Sequence, residues 1–269
     1  MTPKELLARA PIEQYEAEVL LAHILGVQRS WLLSHGDEGL SSEDEHAFMT
    51  HARARASGEP LAYLMGYRDF WSLRLIVDQH VLIPRRETEH LVEWALECLD
   101  AGDQKVLDLG TGSGAIALAC KSERPELSVT GTDQSEEALA CARRNSEALG
   151  LEVRWKRGSW FEPVDARDWD MVVSNPPYIA ASDEHLVQGD LPSEPESALI
   201  GGETGLEMLE HIVTEAPGHL RPYGWLLLEH GFDQGEEVRT LLTERGFSNV
   251  ATRADWSGQP RVSGGQWQN

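Results

Sequence analysis

The chain has 269 residues, 41% of them hydrophobic, and 45 acidic against 23 basic side chains give a formal net charge of −22. That length suits one large domain or a main domain with a smaller companion, and the acidic balance repels phosphate backbones over most of the surface, which disfavours nucleic acid as a partner. Cys98, Cys120 and Cys141 fall in helical patterns without C-x-x-C spacing, which excludes a disulfide framework and a zinc site and fits a reducing, cytoplasmic setting.

Met1 to Ala10 lacks the apolar core of a signal peptide, and no run approaches the roughly 20 apolar residues of a membrane span. The ten histidines show no metal-ligand spacing, so no metal is expected. Residues 4 to about 57 read as helices: Ile12, Tyr15, Val19, Leu20 and Ile24 recur at helical spacing, and Gly26 is a stop. Ser41 to Glu45 has the form of a capping box and starts a helix through Phe48 to Ala56. Gly58-Glu59-Pro60 then breaks the pattern.

From Phe70 to Ile83 the period changes to two, with Leu73, Leu75 and Val77 alternating before Asp78-Gln79 and Val81-Leu82-Ile83. This predicts a β-hairpin turning at Asp78-Gln79. Pro84-Arg85-Arg86-Glu87-Thr88-Glu89 leads into a helix with Leu91, Val92, Trp94 and Leu96 on its apolar face. There Thr88 or Glu87 serving as a cap is the preferred reading, the alternative being that the two arginines hold a substrate loop.

Lys105 to Leu109 reads as a strand that opens through Gly110-Thr111-Gly112-Ser113-Gly114 into a helix. Such a turn sets bare N–H groups against a ligand. Its G-x-G-x-G spacing is tighter than the dinucleotide fingerprint, and it lacks the lysine of a phosphate-binding loop. A second strand, Leu127 to Thr132, ends at Asp133, a carboxylate able to accept from both hydroxyls of a ribose. The two features together predict an adenosine-type ligand without a phosphate. After a helix from Ser135 to Leu149, a third strand near Glu152 to Lys156 leads to Trp160 and Phe161. Either aromatic can cover an adenine or plug the core.

The fourth strand, Asp170 to Ser174, delivers Asn175-Pro176-Pro177-Tyr178. Each proline fixes φ and offers a carbonyl without an N–H, so the corner is stiff and rich in acceptors. The Asn175 side-chain oxygen and the Pro176 carbonyl can together accept both hydrogens of a planar –NH₂ group, with Tyr178 as a flat face. That chemistry suits an amide or exocyclic amino nitrogen, although an ordinary strand-to-loop turn has the same residues. Ala181 to Gly202 is a long acidic loop. Gly205 to Ala216 reads as a helix, Gly224 to Glu229 as a strand and Gln234 to Gly246 as a helix, while the tail from Asp255 to Asn269 gives no clear strand signal.

With these residues together the chain resembles class I S-adenosylmethionine-dependent methyltransferases. It is most similar to the bacterial release factor glutamine methyltransferase family, which methylates a glutamine side-chain amide in class I peptide release factors. The likeness spans essentially the whole chain: Phe70-Trp71, Ile83-Pro84-Arg85 with Glu87-Thr88-Glu89, Asp108 to Ala117, Asn175 to Tyr178, Glu194-Pro195 with Ala198-Leu199, Gly201-Gly202 with Gly205-Leu206, and Glu229-His230-Gly231. Asn-Pro-Pro-Tyr alone is shared with adenine and guanine amino methyltransferases. The junction before Glu89 and a helical N-terminal domain of this size single out the release-factor family.

The resemblance implies an α/β protein: a Rossmann-like class I methyltransferase sheet with helices on both faces (85–269), a β-hairpin linker (69–84) and a small N-terminal helical substrate-docking domain (1–68). It implies that Gly110, Thr111, Gly112, Ser113, Gly114, Asp133 and Asn175 hold S-adenosylmethionine, with Trp160 near its adenine. Asn175, Pro176 and Tyr178 would be catalytic, and these three with Pro177 and Arg85 would present the glutamine of the release factor's Gly-Gly-Gln loop, supporting translation termination. A cytoplasmic monomer with no direct nucleic acid or membrane partner is expected. Arg86 stands where the family often has a second proline, which removes one source of rigidity. Gly264-Gly265-Gln266 repeats the methylated tripeptide; chance accounts for it, with self-methylation at Gln266 as a secondary expectation. The competing readings are an amino methyltransferase of adenine or guanine, which would flip the base against Tyr178, and a cofactor-binding module without catalysis.

Overall fold

The computed structural model describes residues 1–100, 102, 104–165 and 167–268, so the last tail residue, Asn269, lies outside the described residues. The chain divides into two compact units, Met1–Tyr67 with Val187–Ser193, and Arg68–Leu186 with Glu194–Asn269.

The smaller unit is helical. In α1 (Pro3–Leu7), Thr2 and Glu5 cap each other: the Glu5 N–H donates to Thr2 Oγ1 at 3.3 Å and the Thr2 N–H to Glu5 Oε2 at 3.0 Å. Next come α2 (Gln14–Leu25), stopped by Gly26 at φ 65°, α3 (Arg29–Ser34), α4 (Ser42–Ala56) and α5 (Leu61–Met65). Ser41 Oγ accepts from the Asp44 N–H at 3.1 Å and starts α4. Leu6, Leu20, Leu21 and Phe48 are fully buried at its centre. Arg55 ties the returning segment to α4, pairing with Glu16 at 2.7 Å and Asp190 at 2.8 Å.

A two-stranded sheet follows, β1 (Tyr67–Phe70) and β2 (Leu73–Ile76), turning at Trp71-Ser72. This corrects the predicted hairpin: Leu73–Ile76 is its second strand rather than its first, and residues 81–83 form no strand. Trp71 makes the reversal at φ 56°. Its strain is offset by two anchors: the Trp71 N–H donates to Glu89 Oε1 at 3.0 Å and the indole N–H to Glu123 Oε1 at 2.6 Å.

The remaining elements are α6 (Glu89–Cys98), β3 (Lys105–Leu109), α7 (Ala115–Glu123), β4 (Ser128–Asp133), α8 (Glu136–Leu149), β5 (Arg154–Arg157), β6 (Trp169–Ser174), β7 (Ile179–Ala180), β8 (Ile200–Gly202), α9 (Glu207–Glu215), β9 (Leu220–Glu229), α10 (Gly235–Arg245), β10 (Ser248–Ala254) and β11 (Pro260–Gln266). The main sheet has the order β10-β11-β9-β6-β3-β4-β5. Its strands from β9 to β5 are parallel, and β11 is antiparallel to both neighbours. Alternate side chains are buried on opposite faces, as the period of a strand requires. Val106, Val129, Met171, Val173 and Leu227 pack with α6 and α7, while Leu107, Leu109, Val172, Leu226 and Leu228 pack with α9 and α10. Helices therefore cover both faces, and each large aliphatic side chain so buried contributes about 1.5–3 kcal/mol.

The sheet also places the site. From β3 the chain moves outward through β4 to β5, then returns as β6 on the other side of β3. At such a switch the connections leave in opposite directions and open a crevice at the strands' carboxyl ends. Leu109 pairs with Ser174, so Gly110 and Asn175 leave the sheet side by side.

The tail, by contrast, supplies a strand where none was evident, β11, which contains Gly264-Gly265-Gln266. A Cβ at Gly264 would lie 2.3 Å from Leu227 Cδ2, and one at Gly265 would lie 2.9 Å from Phe247 Cβ. Close packing between neighbouring strands therefore demands these glycines. The Gln266 amide donates to the Tyr223 carbonyl and accepts from Asn249 Nδ2, each at 3.0 Å, and Gln266 pairs with Trp225 rather than with the Glu229 end of β9. The self-methylation expectation is corrected accordingly: the tripeptide is a paired strand whose amide is already engaged, away from the crevice.

Candidate active site

A cavity of about 570 Å³ lies at the crevice, with Gly110, Gly112, Asp133, Trp160, Asn175 and Pro177 in its wall. Gly110, Gly112 and Gly114 all have positive φ, at 68°, 55° and 84°. Such backbone suits glycine alone at little cost. Gly110 and Gly112 face the cavity; Thr111, Ser113 and Gly114 stand behind it. The loop is braced from beneath by Asp108, which is fully buried and whose Oδ2 accepts from Thr111 Oγ1 at 2.6 Å and from the Ala117 N–H at 3.3 Å. Burial pushes the Asp108 carboxyl up to about 7, against the pull of those two donors.

Asp133 closes the loop from the side. Its Oδ2 accepts from the Gly112 N–H and its Oδ1 from the Ser135 N–H, both at 2.9 Å. Burial raises its pKa, opposed by these backbone donors. Each oxygen keeps a further lone pair, so Asp133 can brace the loop and still accept from a diol. Trp160 and Phe161 separate into the two roles the sequence left open. Phe161 is buried and stacks on His219, with centroids 4.4 Å apart, whereas Trp160 lies in the cavity wall beside Gly110. An open glycine turn, an acidic rim and a flat aromatic wall fit an adenosine group and oppose a phosphate. The residues present therefore fit S-adenosylmethionine.

Across the cavity, Asn175 Nδ2 donates to Thr88 Oγ1 at 3.3 Å. Among the described residues no hydrogen bond reaches Asn175 Oδ1 or the Pro176 carbonyl. Pro176 is buried behind the wall and Pro177 lines it. Tyr178 is not in the wall: its ring packs into the core on the α9 and α10 face, and its hydroxyl donates to Glu229 Oε1 at 3.2 Å. Burial, then the Glu229 charge, keeps that phenol protonated. The corner is held from outside by β8, where a Cβ at Gly201 would lie 2.4 Å from the Pro177 carbonyl oxygen.

Thr88 departs from its expected role. It is the residue before α6, yet its side chain makes no capping bond; it is buried, 3% exposed, and turned to Asn175. Arg85 is likewise committed within the protein. It pairs with the buried Glu194, whose Oε2 accepts from the Ile83 N–H at 3.0 Å. The junction stays tight without a second proline at 86, because the N–H groups of Thr88, Glu89 and His90 donate to the carbonyls of Arg85, Arg86 and Glu87.

Three positions that brace the site were given no role from the sequence, although two of them, Glu194 and Glu229, stand in the motifs of the resemblance. Glu229 is 1% exposed at the end of β9, and burial pushes it up to about 7 against the influence of Thr88, Arg261 and Tyr178. An acid closing an apolar strand was its signal, the same one that marked Asp133. Asn145, fully buried in α8, accepts from the Ile76 N–H at 2.6 Å and donates to the Ile76 and Ser113 carbonyls, so it joins β2 to the back of the glycine loop. Glu194 was marked by its place in a long acidic loop and, with Pro195, in the family resemblance, but neither gave it a partner.

The sequence matches the family model of the methyltransferase small domain over residues 89–191 and that of the PrmC N-terminal domain over residues 4–66. It is 51% identical to the release factor glutamine methyltransferase of Xylella fastidiosa strain Temecula1 over 269 residues, covering 98% of each chain. With the Pseudomonas aeruginosa protein of the same name it shares 49% identity over 97% of this chain and 95% of that one. The solved structure of a Thermus thermophilus 16S rRNA N2 G1207 methyltransferase, in complex with AdoMet and guanosine, superposes with a TM-score of 0.53 at 18% identity, covering 75% of this chain and 50% of that one. That last likeness concerns the fold alone.

Proposed function

Since the chain belongs to the release factor glutamine methyltransferase family, we propose that the crevice between β3 and β6 is where it binds both reactants. The protein is an S-adenosylmethionine-dependent methyltransferase of the release-factor glutamine side chain. The observation that carries the residue assignment is the pair of unengaged acceptors, Asn175 Oδ1 and the Pro176 carbonyl, beside the glycine turn. In this reading Gly110, Gly112 and Asp133 hold the cofactor, with Trp160 against its adenine.

An amide nitrogen is a poor nucleophile because its lone pair is delocalised into the carbonyl. Asn175 and Pro176 accept its two hydrogens, orient the lone pair and stabilise the positive charge that grows on nitrogen as it reacts. The cofactor, when bound, supplies an electrophilic methyl group on a sulfonium. The rigidity of the proline corner keeps the two acceptors fixed, so little reorganisation accompanies the step. Tyr178 acts from behind, holding the corner through Glu229 rather than offering its face to the substrate. Arg85 and Glu194 shape the neighbouring loop.

The reading extends to partners. The helical unit docks the release factor, a role its match to the PrmC N-terminal domain supports; the −22 net charge supports a monomer that works without nucleic acid, and the free Cys98, Cys120 and Cys141 support a cytoplasmic setting. The test is methyl transfer from labelled cofactor to a purified class I release factor, to its Gln→Ala variant in the Gly-Gly-Gln loop, and to ribosomal and transfer RNA. Label on the parent factor alone is expected. Label on RNA, or equal label on the Gln→Ala factor, overturns the substrate assignment.

A further inference from the structure

Among the described residues, the larger unit leaves three large apolar side chains exposed: Tyr223 at 61%, Phe232 at 56% and Trp256 at 79%. Tyr223 lies near the start of β9, at the far end of the sheet from the crevice. The other two stand at the crevice end. β9 runs parallel to β6 and ends at Glu229, and Phe232 follows on the turn Gly231–Gln234. β11 runs antiparallel to β9, so the turn that feeds it, residues 255–259 with Trp256, projects from the same edge.

Both turns are held rigidly. Asp255 Oδ1 accepts from the Ser257 N–H at 2.8 Å and the Gln259 N–H at 3.0 Å, its Oδ2 pairs with Arg261 at 3.3 Å, and Gly258 makes the bend at φ 79°. The Trp256 ring rests on His90, with centroids 4.8 Å apart, two residues past the Thr88 that bonds Asn175. In the other turn the Gly231 N–H donates to Gln234 Oε1 at 2.8 Å, and the Gly231 carbonyl accepts from the Gln234 N–H at 3.0 Å and from His230 Nδ1 at 2.7 Å. Gln234 Nε2 donates to the Tyr178 carbonyl at 3.0 Å, which ties the Phe232 turn to the Asn-Pro-Pro-Tyr corner itself. An aromatic ring held in water by a fixed turn gains from burial and loses little freedom on association. Those are the properties of an interface anchor.

We infer that Trp256 and Phe232 anchor a docking surface on the larger unit for the body of the release factor, beside the corner that takes its glutamine. The flank of the crevice toward β4 and β5 carries Asp133 and Trp160 and belongs to the cofactor. A protein that delivers a side chain to Asn175 therefore covers the opposite flank, at the ends of β9 and β11. The rim sets the complementary chemistry: exposed Asp233, Glu236 and Glu237 follow Phe232, and exposed Glu87 and Glu93 flank His90, against the exposed base Arg86. The matching face is apolar side chains set among lysines or arginines. The inference rests on release-factor methylation as argued above.

The test is calorimetric binding of a purified class I release factor to the parent and to three variants, with S-adenosylhomocysteine, the spent cofactor, present so that no turnover intervenes. Trp256→Ala is expected to raise the Kd for the factor about tenfold and Phe232→Ala about threefold, with KM rising in step and affinity for the spent cofactor within about twofold. Added salt should weaken binding by the parent. Tyr223→Ala, similarly open but at the other end of β9, should bind the factor as the parent does. A Kd in Trp256→Ala within twofold of the parent, or an equal rise in Tyr223→Ala, overturns the inference. If the Trp256 variant does not fold, N-bromosuccinimide oxidation of the parent, read at Trp256 by peptide mass spectrometry, takes its place. Slower oxidation with the factor bound supports the surface, and an unchanged rate overturns it. Binding without methyl transfer by the parent would instead sink the substrate reading and leave the docking surface standing, so the two failures are told apart.

Discussion

On the glycine-loop wall of the cavity, buried Asp108 receives its hydrogen bonds from Thr111 and Ala117, three and nine residues along the chain. On the opposite wall, buried Glu229 receives Tyr178 from 51 residues away, and Thr88 meets Asn175 across 87. Both carboxyls are driven up to about 7 by burial, and both stand behind the wall rather than in it. The device is therefore the same, a buried acid bracing a loop. What differs is its reach: the glycine loop is braced from beneath by its own stretch of chain, with Asp133 and Trp160 added from the next two strand ends, whereas the Asn175 corner is braced only by residues far along the chain. A locally braced loop forms with its own strand and turn, whereas the corner is held only once the sheet has assembled.

If the walls are functionally separate, a change in one should leave the other intact. The largest effect is expected from Asn175→Ala: turnover should fall about a hundredfold or more, by analogy with losing a preorganised polar contact. Calorimetric titration should show cofactor affinity changed far less. Turnover equal to the parent would remove Asn175 from the chemistry, and a matching collapse of cofactor binding would show the walls to be one unit.

The converse change is Asp133→Ala. It removes a partly buried acceptor of the Gly112 and Ser135 N–H groups, and with it the free lone pairs facing the cavity. Charge-assisted bonds of this kind contribute about 1.5–3 kcal/mol, so cofactor affinity should weaken tenfold or more while kcat at saturating cofactor stays near the parent. Affinity within twofold of the parent would reduce Asp133 to a loop brace.

The same contrast in reach decides what could be read in advance. The glycine turn, the acid at the end of β4 and the Asn-Pro-Pro-Tyr corner are contiguous or strand-end signals, and their placement at one sheet edge follows from alternating βα units. The hairpin was misplaced because Leu73 to Val77 alternates as well for a second strand as for a first, and because the turn relies on distant Glu89 and Glu123 to hold Trp71 at positive φ. Thr88 read as a cap because capping is the local option for a threonine before a helix, while the partner its side chain meets, Asn175, lies 87 residues along the chain. The tail strand β11 was hidden by glycines that belong there only because Leu227 and Phe247 pack against them.

The smallest expected effect tests whether Asp108 really is a neutral brace near pH 7. Both of its hydrogen bonds land on Oδ2, and Oδ1 has no partner among the described residues. Asp108→Asn can therefore keep both bonds on its carbonyl oxygen, and the amide stands where the acid proton would. In the parent, a carboxyl of ordinary value 3.8 is held at about 7 in the folded state. Below about pH 4 it is protonated in both states and its contribution to stability is fully present. As pH rises toward 7 the unfolded chain ionises and the folded chain does not, so stability is lost across that window. The gap sets an upper bound of about 4 kcal/mol, and structural relaxation should leave about 1–2 kcal/mol to be seen. Urea unfolding of the cofactor-free protein at pH 5 and pH 7.5 should show the parent losing more stability than Asp108→Asn by that amount. Parallel losses would mean that Asp108 is ionised in the folded protein, and that the glycine loop is braced by a charge.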